Sequence, residues 1–182
     1  MKTALFVTGN QHKADHLARL LELPVQHVKL DLDEIQSADV KEVAAHKVKQ
    51  AYALVKQPVF VEDVSLGFAA LDGLPGPFVK FFLSTHDGLE KLCRMLDGFE
   101  SRQAYGECVY AYYDGEHLEL IHGGIQGVIA DHPRGDDGFG WDAIFCPERH
   151  GSKTRAELST EEYAEVYKLI KPIDKLKEFL EQ

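Results

Sequence analysis

Ala4-Leu5-Phe6-Val7-Thr8-Gly9-Asn10-Gln11-His12-Lys13 lies near the start of the 182-residue chain and decides its fold class. Ala4 to Val7 reads as a buried strand, ended by the turn formers Gly9 and Asn10. From about Gln11 to Leu21 the spacing of Leu17, Leu20 and Leu21 predicts a helix with one apolar face. A strand that turns directly into a helix is the opening of an α/β unit.

The pattern repeats outward. Val25 to Leu30 reads as a second strand, followed by the acidic loop Asp31-Leu32-Asp33-Glu34. Asp39 to Lys56 is strongly helical, with Val40, Val43, Ala44, Val48, Ala51, Leu54 and Val55 at i, i+3, i+4 spacings. Pro58 to Val61 is a third strand, with Glu62 and Asp63 expected at its C-terminal end. Gly73-Leu74-Pro75-Gly76-Pro77 forms a rigid turn before the aromatic segment Phe78 to Leu83, and Gly88 to Leu96 reads as a short helix. Gln103 to Tyr113 and His117 to His122 flank Asp114-Gly115, a hairpin signal, and Ile125 to Ala130 is expected as a further strand. His132 to Gly138 is a polar loop. Ser159 to Glu162 carries the capping-box pattern of a C-terminal helix, which Pro172 kinks or restarts. The order β-α-β-α-β, then a meander, then helix predicts an α/β fold with a mixed sheet, and the length suits one domain spanning residues 1–182.

Twenty basic residues against 30 acidic ones give a net charge of −10, which argues against a nucleic-acid binder or an anionic-membrane binder. It leaves room for a small anionic substrate, because a few lysines or a divalent cation reverse the field locally. Cys93, Cys108 and Cys146 are odd in number and widely spaced, so neither a disulfide framework nor a zinc site is indicated and a reducing cytoplasm is expected. The N-terminal apolar run is too short for a signal sequence, and no apolar stretch approaches the roughly 18 residues of a membrane helix.

Four places invite chemistry. Thr8-Gly9-Asn10 and Lys13 sit between strand and helix, where free backbone N–H groups favour phosphate; the alternative is a plain turn with Asn10 as N-cap. The G-x-x-x-x-G-K pattern of a P-loop is absent. Lys47 falls in the middle of an apolar helical stripe, so it either snorkels to water or meets an anion. Glu34, Glu62 and Asp63 are carboxylates that strand ends bring together for a divalent cation, or else solvated loop acids. Phe139-Gly140-Trp141-Asp142 offers an aromatic plane for a base and a carboxylate to accept from it, or else aromatics that plug the core.

Taken together and in order, these blocks resemble the inosine triphosphate pyrophosphatase family. The matching residues are Phe6-Val7-Thr8-Gly9-Asn10 with Lys13, Asp31-Leu32 with Glu34, Glu42 with Lys47, and Val61-Glu62-Asp63 with Leu66. Ala70-Leu71 with Gly73-Leu74-Pro75-Gly76-Pro77-Phe78-Val79-Lys80 follows, then Phe139-Gly140-Trp141-Asp142 and, more weakly, Ala156-Glu157-Leu158. The resemblance implies an elongated mixed β-sheet flanked by helices, with two lobes around a central cleft, and a homodimer. It implies hydrolysis of non-canonical purine nucleoside triphosphates to a monophosphate and pyrophosphate with Mg2+. Thr8, Asn10 and Lys13 would hold the triphosphate, with Lys47 and Lys80 also meeting phosphate. Glu34 would bind the metal, and Asp63, with Glu62 nearby, would position it and activate water. Phe139 would stack on the base, and Trp141 and Asp142 would shape its pocket.

One block departs. The family carries a lysine and then Ser-His-Arg on its last motif helix, where this chain has Tyr163 and then Tyr167-Lys168-Leu169. A pocket that hydrogen-bonds a base edge discriminates strongly, because its polar groups go unpaired with the wrong base. Inosine and xanthosine selectivity therefore does not follow from the resemblance, whereas the metal and phosphate residues are intact. Lys168 and Lys171 are cations available to stand in. The rival readings are the same reaction on a modified or pyrimidine nucleotide, and nucleotide binding without turnover.

Overall fold

In the computed structural model the described residues are 3–9, 11–136 and 138–182. Asn10, named above for the phosphate loop, lies outside them. β1 (Leu5–Val7) leads into α1 (Gln11–Leu21), whose buried face is Ala14, Leu17 and Leu21. β2 (His27–Val28) is shorter than its apolar run suggested. α2 (Val40–Val55) starts where Asp39 accepts a hydrogen bond from the Lys41 N–H, and ends at left-handed Lys56.

β1 pairs in parallel with both β2 and β3 (Val59–Phe68). β4 (Pro75–Gly76) lies antiparallel against the far end of β3. α3 (Val79–Leu83) and α4 (Gly88–Arg94) follow, then β5 (Gln103–Tyr113), β6 (Leu118–Ile129) and β7 (Phe145–Pro147). α5 (Thr160–Ile170) and α6 (Ile173–Glu181) close the chain, parted by Pro172. Among the described residues the sheet has seven strands in the order β2-β1-β3-β5-β6-β7, with β4 also on β3. The mixed α/β expectation is met.

Other elements also differ from the sequence expectation. β3 does not stop at Val61 but runs on to Phe68, so Glu62 and Asp63 sit inside a strand. Beyond Asp63 the strand keeps its partners through the antiparallel ladder to β4. β6 runs unbroken through Gly123 and Gly124, which looked like a break between two strands. A Cβ at Gly124 would overlap the Tyr105 hydroxyl, so the glycine makes room for a ring and does not end the strand. β7 was not anticipated; three residues are too few to show a period.

The chain forms two compact units. The first comprises Met1–Asp63, Cys108–His122 and Pro172–Gln182. Its core joins α2 residues Val40, Ala44, Val48 and Ala51 to Val59 and Val61 of β3 and to Val109 and Ala111 of β5. Each fully buried valine there contributes about 1.5–3 kcal/mol. Phe6 and Phe60 point the other way and stack with centroids 4.9 Å apart. The second unit comprises Val64–Glu107 and Gly123–Lys171. Trp141 packs edge-on against Phe145 at 5.2 Å inside it, and Arg102 ties its turns by donating to the carbonyls of Cys93, Ile129 and Ala130.

Candidate active site

Strand alternation builds the cluster in the first unit. Odd-numbered residues of β3 face α2: Val59 and Val61 pack into its core, and Asp63 is the next odd position. Lys47 lies on that same helix face between buried Ala44, Val48 and Ala51. Its ammonium bonds Asp63 Oδ1 and also bridges to Glu34 Oε1 at 2.9 Å. The lysine on the apolar stripe therefore meets anions, as one of its two readings required, and the anions are the protein's own carboxylates.

Even-numbered Glu62 faces the opposite side with Phe60. Lys13 Nζ lies 2.5 Å from Glu62 Oε1, and the Tyr110 hydroxyl donates to Oε2 at 2.8 Å. Glu62 has only 3% of its side chain exposed. The three carboxylates expected around a cation are thus divided: Glu34 and Asp63 share Lys47, while Glu62 is taken up by Lys13 and Tyr110. Adjacent residues of one strand cannot face the same way. Among the described residues no group of three or more His, Cys, Asp or Glu side chains gathers as a metal cage.

Asp63 is the unusual group. Burial raises its pKa above the ordinary carboxylate range; Lys47 and then Lys13 pull it back down, and Glu62 pushes it up. Asp63 Oδ2 is buried without a hydrogen-bond partner. Thr8 and Gly9 follow β1, and the register of Leu5 with Val59 and Phe6 with Phe60 puts Val7, the last residue of β1, level with Val61, so Glu62 and Asp63 come just after the end of β1. A Cβ at Gly9 would meet only the Lys29 side chain, at 3.5 Å, so packing does not require glycine there.

The remaining candidate residues belong to the second unit. Gly138 (φ 110°) and Gly140 (φ 66°) bracket Phe139 in backbone that favours glycine. Phe139 is 86% exposed, whereas Trp141 is 6% exposed and buried against Phe145. The two aromatics therefore split the two readings of the motif, one presented to solvent and one plugging the core. Asp142 is buried: Oδ2 accepts from the Phe139 N–H at 2.9 Å and from the Tyr163 hydroxyl at 2.9 Å, and Oδ1 pairs with Arg155. Protein donors therefore engage both carboxylate oxygens of Asp142. Lys80 is on α3, its Nζ 5.0 Å from the Phe81 ring centroid, and burial lowers its pKa.

Sequence reasoning missed Tyr110, Lys29 and Arg155. Tyr110 gave no signal, since its partner is 48 residues away. Arg155 had a faint one: Thr154 and Glu157 form a capping box that fixes the short turn carrying it.

Lysines and carboxylates where parallel strands of an open mixed sheet end define an α/β protein of the kind that takes ligands beyond its strand ends. The Ham1 family's profile matches residues 4–179, and the chain belongs to that family. It is 44% identical over 159 residues to inosine triphosphate pyrophosphatase 2 of Trypanosoma cruzi, covering 86% of this chain and 81% of that protein. It is 41% identical over 186 residues to the inosine triphosphate pyrophosphatase of Emericella nidulans, covering 99% and 97%. Its fold is similar to a solved HAM1 protein from Coxiella burnetii, with a TM-score of 0.84 and 26% identity over 99% of this chain and 98% of that one.

Proposed function

We propose that this chain hydrolyses nucleoside triphosphates, non-canonical purines such as ITP, dITP and XTP among them, to a monophosphate and pyrophosphate. The observation that carries the reading is Asp63, a buried carboxylate of raised pKa with one unpaired oxygen and two lysines acting on it. A carboxylate poised above its usual range is suited to accept a proton near neutral pH. Asp63 orients a water and takes its proton as the oxygen attacks the α-phosphorus. The bond from that phosphorus to the bridging oxygen breaks, and its electron pair leaves with pyrophosphate. Lys13 and Lys47 neutralise the departing charge. Thr8, Gly9 and Asn10 cradle phosphate, with Lys80 a further contact. Phe139 stacks on the base while Gly140, Trp141 and Asp142 shape its loop.

A divalent cation, magnesium in this reading, suits Glu34 and Asp63: magnesium takes one or two carboxylates plus water and substrate phosphates, and Asp63 Oδ2 is a buried oxygen with no other partner. When bound it polarises phosphate oxygens. Glu62, held by Lys13 and Tyr110, acts beside it as the anchor of Lys13. The family resemblance supports a homodimer. Three free, buried cysteines support a reducing cytoplasm, and among the described residues no helix is long and apolar enough to cross a membrane.

Pyrophosphate release from a panel of ITP, XTP, GTP, ATP and UTP tests the reading. Release from ITP or XTP is expected. Tight binding without release from any of them would refute it. The same reaction on another base is favoured as a second reading by Tyr163 and Tyr167-Lys168-Leu169, which stand where the resemblance implies a lysine and Ser-His-Arg.

A further inference from the structure

The loop that presents Phe139 is held by Asp142. Asp142 N–H donates to the Phe139 carbonyl at 3.3 Å while Phe139 N–H donates to Asp142 Oδ2, so the two residues close a tight turn on each other. Asp142 is in turn gripped from two directions. Arg155, itself 6% exposed, reaches it from the short turn Arg155–Glu157, and the next residue's Ala156 N–H donates to the Asp142 carbonyl at 3.2 Å. Tyr163 reaches it from α5. Burial first, and then the charge of Asp142, push the Tyr163 phenol up to about 12, so it remains a donor at any working pH.

These groups also stack. The Arg155 guanidinium lies 5.4 Å from the Trp141 ring centroid and 4.8 Å from that of Tyr163. Tyr163 lies 6.2 Å from Tyr167, over which Lys171 sits at 5.5 Å. Tyr163 and Tyr167 are neighbouring rings of α5, each with a cation over it, Arg155 from the short turn and Lys171 from the end of the helix. This ladder occupies the helix on which the resembling family has its lysine and Ser-His-Arg.

We infer that Arg155 and Tyr163 are positioning residues that clamp Asp142 so that it fixes the exposed Phe139 ring, and that the clamp sets nucleotide affinity without reading the base. The inference rests on the proposed reading that Phe139 takes the base. Stacking tolerates any base, since every base has a π-face. A clamp acting through Phe139 therefore changes affinity by one common factor across bases. A residue that hydrogen-bonds a base edge changes it for some bases and not others.

The test is a double-mutant cycle of Tyr163→Phe and Phe139→Ala, with KM and kcat measured on ITP, GTP and UTP. Tyr163→Phe keeps both ring contacts and removes only the hydroxyl. It is expected to raise KM about three- to tenfold, by the same factor for each nucleotide, with kcat unchanged. Phe139→Ala is expected to raise KM about five- to 150-fold. The double variant is expected to be no worse than Phe139→Ala alone, because Tyr163 has nothing left to position. A KM effect confined to one base, additive single effects, or a fall in kcat at constant KM would overturn the clamp. Hydrogen exchange at the Phe139 amide supplies a readout independent of turnover. Tyr163→Phe is expected to speed it by about tenfold or more, and an unchanged rate would count against the clamp. If the unsubstituted chain releases no pyrophosphate from any nucleotide, the proposed reaction fails while the exchange experiment still decides the clamp.

Discussion

Replacing Asp63 with Asn should move activity and stability in opposite directions. The change keeps volume and shape, and its oxygen can still accept from Lys47. What is lost is the proton acceptor, and positioned general bases contribute about 10²- to 10⁴-fold in rate. Stability follows from the sign of the pKa shift. The folded chain holds the Asp63 proton more tightly than the unfolded chain, because burial disfavours the charge more than Lys47 and Lys13 favour it. The stability this group contributes is therefore present below the ordinary carboxylate range and is lost as pH rises through the raised folded value. Asn has no such loss. The stability difference between D63N and the original chain should open in favour of D63N across that window and stay constant above it. In a chain of this size each 1 kcal/mol displaces Tm by about 2–4 °C. Thermal unfolding of the two metal-free chains at pH 4, 6 and 8, beside pyrophosphate release at pH 8, measures both effects. A D63N chain that is less stable than the original at pH 8, or that keeps full turnover, would refute the reasoning.

Lys47→Met leaves Glu34 and Asp63 facing each other without their shared cation and should cost roughly 3 kcal/mol by urea unfolding at pH 7. Because Lys47 holds the Asp63 pKa down, its removal should also shift the acidic limb of the pH–rate profile to higher pH. Tyr110→Phe removes the hydroxyl that donates to buried Glu62 and should cost about 1–3 kcal/mol, while Lys13 keeps its partner and pyrophosphate release falls by less than about tenfold. Gly124→Ala should cost about 1–3 kcal/mol through overlap with the Tyr105 hydroxyl, and Tyr105→Phe in the same chain should recover much of that in a thermal melt.

What was legible in the sequence was local. The 3.6-residue period and Asp39 set α2 to within a residue at each end, and Ser159 with Glu162 announced α5. Asp114 accepts from the Glu116 and His117 N–H groups, as the hairpin signal implied. Lys47 was visible as an anomaly because a charge on an apolar stripe needs a partner. What was not legible depended on pairing across the chain. Two acids after an apolar run look like the end of a strand, and only the ladder to β4 shows that β3 continues. The split of Glu62 from Asp63 follows once they are inside that strand. The grip of Arg155 and Tyr163 on Asp142 joins residues 13 and 21 positions apart, beyond the reach of any local pattern.

The α5 ladder also predicts how base selectivity can be altered without disturbing the phosphate chemistry. Tyr167 shares the face of Tyr163, one helical turn on, while Lys168 and Leu169 are exposed. Substituting Tyr167→Ser, Lys168→His and Leu169→Arg together removes one ring from the ladder and touches none of the contacts to Asp142. The cost in stability should stay near 1 kcal/mol, the worth of a single aromatic pair. Lys47, Asp63 and Glu34 make their contacts inside the first unit, so kcat on a good substrate should change by less than about threefold. New polar groups on that face should widen the kcat/KM ratio between ITP and ATP by about tenfold or more, because donors that satisfy a 6-oxo edge go unpaired against a 6-amino one. Competition assays with the two nucleotides in one vessel measure the ratio directly. An unchanged ratio at full activity would mean that this face of α5 does not meet the base, and that selectivity in this chain is set elsewhere.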